Sequence, residues 1–311
     1  MGAIFGIPEL DSLLPSSSPT VLELISPPPT HHPSGAGKTS LLYLIIAHTI
    51  LPTTFDSVTD LNGQDAAVIL FDPLHHFSVA RLASVILSLL VSKLGTPIST
   101  LDPSIKASLL TLTARCLDHV HIFHSSSWDS LIATLQSLPD YLFDATKHKS
   151  THRRIHSLIL EDIDAFTWSL RSAHFTTTTN TSTTANVNPL SSASKALTTE
   201  LATLSTLLSC NMILTSPSIL STAFRPVLPT SWPSAMNVTR LAVRRVEVPK
   251  FASEMSVEQA ESEKGQRWEV VKRGRFECWK VGAAMAGRDR ESEGFVFRVG
   301  DASVALERED G

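Results

Sequence analysis

Cysteine is scarce: three in 311 residues, at Cys116, Cys210 and Cys278, too far apart for any metal-type spacing. That argues against a zinc-ribbon or disulfide-stapled fold and fits reduced thiols in a cytosolic or nuclear protein. A strong charge of either sign is also missing. The formal net charge is −4, so the chain as a whole has no broad attraction for nucleic acid, and any such contact must be a local patch. No apolar run is long enough to span a bilayer; the best, "SLLYLIIAHTIL", is short and interrupted by polar residues. Gly2 is present, but position 6 is Gly6 and not Ser or Thr, which argues against N-myristoylation. No secretory signal and no internal repeat is visible.

What is present is enough for a large core, since 42% of the residues are apolar. Strand-like and helix-like segments alternate. "TVLELIS" (20–26) predicts a buried strand, and "KTSLLYLIIAHTIL" (38–51) a helix packed against a sheet. "AAVILFD" (66–72) is a continuous apolar run ending in an acid, the pattern of a parallel strand covered on both faces. Val79, Leu82, Val85, Ile86 and Leu89 follow at helical spacing. "DHVHIFHSSS" (118–127), "HSLILEDID" (156–164) and "NMILTS" (211–216) predict further strands. Helical stripes at Leu131, Ile132, Leu135 and Leu138, and at Leu197, Leu201, Leu204 and Leu208, separate them. Such alternation implies right-handed crossovers and an α/β fold whose sheet is mainly parallel, with helices on both faces.

The tail differs. "TRLAVRRVEV" (239–248), "RFECWKV" (275–281) and "EGFVFRVG" (293–300) read as three strands without intervening helices, expected to add antiparallel strands at the C-terminal edge. Two inserts, 175–194 and 253–267, are Thr/Ser-rich and charged respectively, and read as disordered within a single domain.

One loop carries chemistry. "HHPSGAGKTS" (31–40) ends like a phosphate-binding loop placed between a predicted strand and a predicted helix. Ser34, Gly35, Ala36 and Gly37 would turn backbone N–H groups toward phosphate. Lys38 would neutralise the outer phosphates, and Thr39 or Ser40 would offer a hydroxyl to Mg²⁺. The first glycine of the usual pattern is replaced by His32, and the prolines of segment 27–34 stiffen the approach, so the mouth of the loop is expected to be reshaped. Glu161 and Asp162, at the end of "LILED", fit a second acidic element holding Mg²⁺; the alternative is that acids at a strand end simply face solvent.

The ordered set "GIPELDSLL", "SGAGKTSLLY", "VILFDPLHHFSVARL", "SLILEDIDAF", "NMILTSPS" and "TRLAVRR" resembles the P-loop NTPase core of RecA-type recombinases, over residues 6–304. It is most similar to the eukaryotic paralogues of the strand-exchange recombinase. The stretches "HHF", "HSSSWDSLIATLQSL" and "AFTWSLR" point within that family to the branch of the second X-ray-repair cross-complementing paralogue. The resemblance implies a DNA-repair function: a nuclear subunit of a homologous-recombination mediator complex. Such a subunit binds ATP with Mg²⁺, pairs with sister paralogues, and contacts single-stranded or branched DNA within the assembly, with no membrane role. The family's small N-terminal helical domain has no expected counterpart.

Where active members place a water-activating glutamate after the strand matching "VILFD", this chain has Leu74. Leucine cannot accept a proton, and loss of a positioned base lowers a rate by roughly 10²–10⁴. Hydrolysis is therefore expected to be weak or absent unless His75 or His76 substitutes. The matching DNA-facing loops carry Trp168, Arg171, Phe224 and Arg225 as stacking or phosphate-contacting candidates. The basic run "KHKSTHRR" (147–154) reads either as a solvated loop or as a phosphate patch, and Arg240, Arg244 and Arg245 are divided between faces by strand alternation. Two other functions remain: an active DNA-dependent ATPase, and an unrelated P-loop nucleotide kinase, which the antiparallel tail and missing base-binding lid disfavour.

Overall fold

A computed structural model describes residues 4–15, 19–28, 37–56, 59–97, 99–177, 188–220, 224–246, 255–282 and 294–307. A single turn, α1 (Pro8–Asp11), is fixed by the Phe5 amide donating to Asp11 Oδ1 at 2.8 Å, with Leu10 fully buried. β1 (Thr20–Ser26) follows, buried along its whole length. α2 (Lys38–Ile50) is apolar on most sides because it lies inside, between the sheet and other elements. After a small hairpin of β2 (Thr54–Phe55) and β3 (Thr59–Asp60) comes β4 (Ala67–Phe71).

Caps set the helix starts that follow. Ser78 accepts from the Arg81 amide at the head of α3 (Val79–Leu94), and Gly95 closes it with a left-handed φ of 66°. Asp102 caps α4 (Pro103–Leu117), whose Pro at the first position needs no amide partner. β5 (Val120–Phe123) precedes α5 (Trp128–Leu142), capped by Ser127. β6 (Ile155–Leu160), α6 (Thr167–Thr177), α7 (Pro189–Leu208) and β7 (Asn211–Pro217) complete the alternating part. The tail holds β8 (Asn237–Arg245), α8 (Val257–Lys272), β9 (Arg275–Lys280), β10 (Gly294–Val299) and β11 (Val304–Leu306).

The main sheet has nine strands in the order β11-β10-β9-β8-β1-β7-β6-β4-β5. Strands β8, β1, β7, β6, β4 and β5 run parallel; β9, β10 and β11 continue as antiparallel neighbours. Pleat alternation divides two cores. Leu22, Leu24, Val68, Leu70, Ile159 and Ile213 face α2, α3 and α4, whereas Val21, Ile69, Phe71, Leu158, Leu160 and Leu214 face α5 and α7. Cys116 and Cys278 belong to the first core and Cys210 to the second; all three are buried and unpaired. Among the described residues no helix is long and apolar enough to cross a membrane.

Three expectations need correction. β8 is parallel to β1, not antiparallel, and a helix separates it from β9. The insert expected at 253–267 is helical from Val257 onward. Ser256 and Gln259 form a capping box, the Gln259 amide donating to Ser256 Oγ at 3.3 Å and the Ser256 amide to Gln259 Oε1 at 3.1 Å, and Glu263 pairs with Arg267 one turn on. The Thr/Ser-rich insert is shorter than 175–194. Helix α7 begins at Pro189 behind an Asn188 cap and buries Leu190, Ala193 and Ser194, while 178–187 lie outside the described residues. Composition misled at α8 because a cap and helix formers can build a helix that buries little, and at α7 because small residues such as Ala193 and Ser194 pack into the core as well as large apolar ones.

Candidate functional site

At the carboxyl ends of the parallel strands, α2 starts beside β1, and the turn after β6 lies one strand away, across β7. Gly37 caps α2 with a left-handed φ of 89°, and its carbonyl accepts from the Leu41 amide at 2.9 Å, the first helical bond. The free N–H groups of that first turn give the helix start a partial positive charge. Lys38 follows, with Nζ donating to Ser26 Oγ at 2.7 Å. Thr39 donates its hydroxyl to Glu161 Oε1, and Ser40 stands half-buried in the same turn. Ser34, Gly35 and Ala36, and with them His32, lie outside the described residues.

Glu161 is 2% exposed, and its second oxygen, Oε2, is buried with no hydrogen-bond partner among the described residues. Burial pushes its carboxyl up to about 7 against the opposing effect of the Thr39 hydrogen bond. Asp164 is raised to about 6, again mainly by burial and then by the Asp162 charge, and its Oδ1 has no partner among the described residues. Burial lowers Lys38, while Asp162, Asp164 and Glu161 oppose that shift. Asp162 has a left-handed φ of 49°; its amide donates to Thr215 Oγ1 at 2.9 Å and its Oδ2 lies 2.9 Å from His76 Nδ1. Of the three residues expected to hold a metal, Thr39 and Glu161 therefore touch each other, while Asp162 engages His76. Among the described residues no group of three or more His, Cys, Asp and Glu is arranged to hold a metal ion by itself.

Asp72 has a structural task. Fully buried, it accepts from the amides of His76 and Phe77, both at 3.0 Å, and so fixes the turn after β4. Leu74 is 46% exposed on that turn. His75, at a φ of 56°, stacks on His124 with ring centroids 4.1 Å apart, and His124 Nδ1 bonds the Asp72 carbonyl at 2.8 Å.

The nucleic-acid candidates separate. Trp168 is 75% exposed on α6, and the Arg171 guanidinium sits over its ring at 5.3 Å. Arg225 is exposed, its amide donating to Ser218 Oγ at 2.9 Å. Phe224 cannot stack on a base: it is buried against Ile25 and Ala242, edge-on to Trp279. Arg240 is committed to Glu23 and Arg244 to Glu277, while Arg245 lies over Phe276. In the run 147–154, Lys147 pairs with Asp144, Lys149 with Asp118 and Arg153 with Asp65, so its charge is largely neutralised in place.

Sequence reading missed Ser26, Asp164, Thr215 and Phe276. Asp164 carried a signal, as the third acid of "LEDID". Ser26 ends the strand that runs into the loop, and Thr215 and Phe276 reach the site through sheet pairing. No protein-family model matches the chain.

Proposed function

We propose that this chain is a RecA-type recombinase paralogue, most like the second X-ray-repair cross-complementing paralogue. In this reading it is the nucleotide-binding subunit of a nuclear homologous-recombination mediator complex. It holds ATP with Mg²⁺ and hydrolyses it weakly or not at all. The observation that carries the reading is the convergence of Lys38, the free start of α2, Thr39 and a buried glutamate with one orphaned oxygen. An all-oxygen donor set suits a hard cation. Thr39 and Glu161 would hold the ion, Lys38 and the α2 amides the phosphates. The ion supplies charge neutralisation of the phosphate oxygens when bound. That neutralisation matters here, because Glu161, Asp162 and Asp164 all act on Lys38, Asp72 acts on Glu161, and together these acids repel a bare polyphosphate.

Leu74 and the capping role of Asp72 support slow hydrolysis: neither leaves a free carboxylate on the turn after β4. A bound nucleotide still has a role without turnover, stabilising the folded chain by about 2.7 kcal/mol at 100 times its dissociation constant. The Trp168–Arg171 pair supports contact with a single strand by stacking and charge. Sister paralogues would meet the chain through a heterologous surface.

A second reading, an active DNA-dependent ATPase, is favoured by one observation: His76 is oriented by Asp162 as a base is oriented by an acid. Calorimetry with Mg-ATP, on the chain and on Lys38→Ala, tests both readings together with turnover on single-stranded DNA. Metal-dependent binding lost in Lys38→Ala, with negligible turnover, is the expected result. Turnover abolished by the same substitution would favour the ATPase, and absence of binding would remove the nucleotide. Recovery of recombinase paralogues with the chain from native extract is expected; recovery of metabolic enzymes alone would overturn the complex.

A further inference from the structure

We propose that Phe276 is a positioning residue for the anion-facing start of α2, and that through it the C-terminal antiparallel strands set the loop's geometry. The ligand part rests on the nucleotide reading above; the steric part does not.

Register explains how a residue of β9 reaches the loop. The last β1–β8 pair is Ile25 with Ala242, but β8 continues to Arg245, which pairs with Phe276. At about 3.3 Å per residue the β8–β9 ribbon overhangs the end of that pairing by roughly 10 Å. That is where the chain leaves β1 and where α2 begins.

The ring is held from two sides. Phe297 of β10 stacks against it with centroids 5.5 Å apart and planes 20° apart, and the Arg245 guanidinium lies over it at 5.8 Å. It is 8% exposed. It also packs against Gly37. A Cβ at Gly37 would lie 2.6 Å from Phe276 Cδ1, 3.0 Å from Cγ and 3.1 Å from Cε1, and a shift would be forced. Gly37 therefore meets two separate demands. Its φ of 89° favours glycine, and the ring excludes a side chain.

The consequence follows the chain by one turn. The Gly37 carbonyl anchors the Leu41 amide, and Lys38, Thr39 and Ser40 lie between them. A ring wedged on Gly37 fixes that peptide and hence the direction of the free N–H groups and the root of the Lys38 side chain. Phe276 reaches no ligand itself; it acts through Gly37.

The test compares Phe276→Leu with Val304→Ala, a substitution at the buried position of β11, whose side chain is not among the atoms nearest to where a Cβ on Gly37 would sit. Two measurements are made on each: Mg-ATP affinity by calorimetry and hydrogen exchange of the Leu41 amide. The expected result for Phe276→Leu is at least a tenfold loss of affinity and at least tenfold faster Leu41 exchange, with neither in Val304→Ala. Unchanged Leu41 exchange in Phe276→Leu overturns the proposal, whatever the affinity. Unchanged affinity in a variant whose parent binds Mg-ATP overturns it also. If the parent binds no Mg-ATP but Leu41 exchange rises, the steric link stands and the nucleotide reading falls. A second pair guards against misfolding. The stability lost in Gly37→Ala should shrink when Phe276→Leu is added, and simple additivity of the two losses would overturn the contact.

Discussion

Two glutamates are buried almost equally, Glu23 in β1 at 3% exposure and Glu161 after β6 at 2%, yet their surroundings are opposite. Glu23 Oε1 accepts from Thr230 Oγ1 and, at 2.8 Å, from Trp232 Nε1; Oε2 accepts from Arg240 Nε at 2.8 Å and Nη2 at 2.6 Å. Both oxygens are occupied and the charge is matched. Among the described residues Glu161 has one hydroxyl donor, one oxygen without a partner and two neighbouring acids, Asp162 and Asp72. A buried carboxylate that is fully served ties strands and loops together. One left half-served is costly unless something else arrives, and in the proposed reading that is the cation of a bound nucleotide.

Removing the counterion of the served glutamate gives the largest expected effect. Arg240→Leu strands a charge in the core and should destabilise the protein by about 3–5 kcal/mol in urea unfolding. A loss under 1 kcal/mol would erase the distinction between the two sites. Next is Glu161→Gln. A carboxyl whose folded pKa is raised from 4.5 to about 7 loses stability as pH rises through that window, because the unfolded chain releases its proton first. The neutral variant escapes this, so the ligand-free protein should gain about 3 kcal/mol at pH 8 and nothing at pH 4, while metal-dependent nucleotide binding is lost. A loss of stability at pH 8 would show Glu161 to be a structural group like Glu23. The smallest effect is expected of Thr39→Val, which withdraws the lone donor to Glu161. Stability should fall by about 1 kcal/mol, and the thermal shift produced by Mg-ATP should vanish. A preserved shift would place the ion elsewhere.

Much of this was legible in the chain. "TVLELIS" matches β1 residue for residue, because Val21, Leu22, Leu24 and Ile25 supply apolar side chains to both covered faces and Ser26 ends the strand before three prolines. The Gly-Lys-Thr and Leu-Glu-Asp stretches located the two halves of the candidate site for a related reason: each lies where a buried strand gives way to polar residues. Glu23 was not legible as a structural ion, since its partners Trp232 and Arg240 come from a distant loop and from β8. Phe276 was hidden likewise, its position set by how far the β8–β9 ribbon runs past β1. Helix α8 was missed for another reason: its start depends on a Ser256–Gln259 box rather than on an apolar stripe.

The placement of the three thiols makes the molecule its own reporter. Cys116 lies on the buried side of α4 in the first core, Cys210 between α7 and β7 in the second, and Cys278 in the ribbon that overhangs the loop. Burial lifts the first two to about 11 and about 12 and raises the third as well, so a maleimide finds no thiolate on the closed protein. Alkylation followed by peptide mass mapping thus dates the opening of each layer separately. The order in which Cys278 and Cys116 become labelled tells whether the C-terminal ribbon lifts away before the helical layer beneath it comes apart.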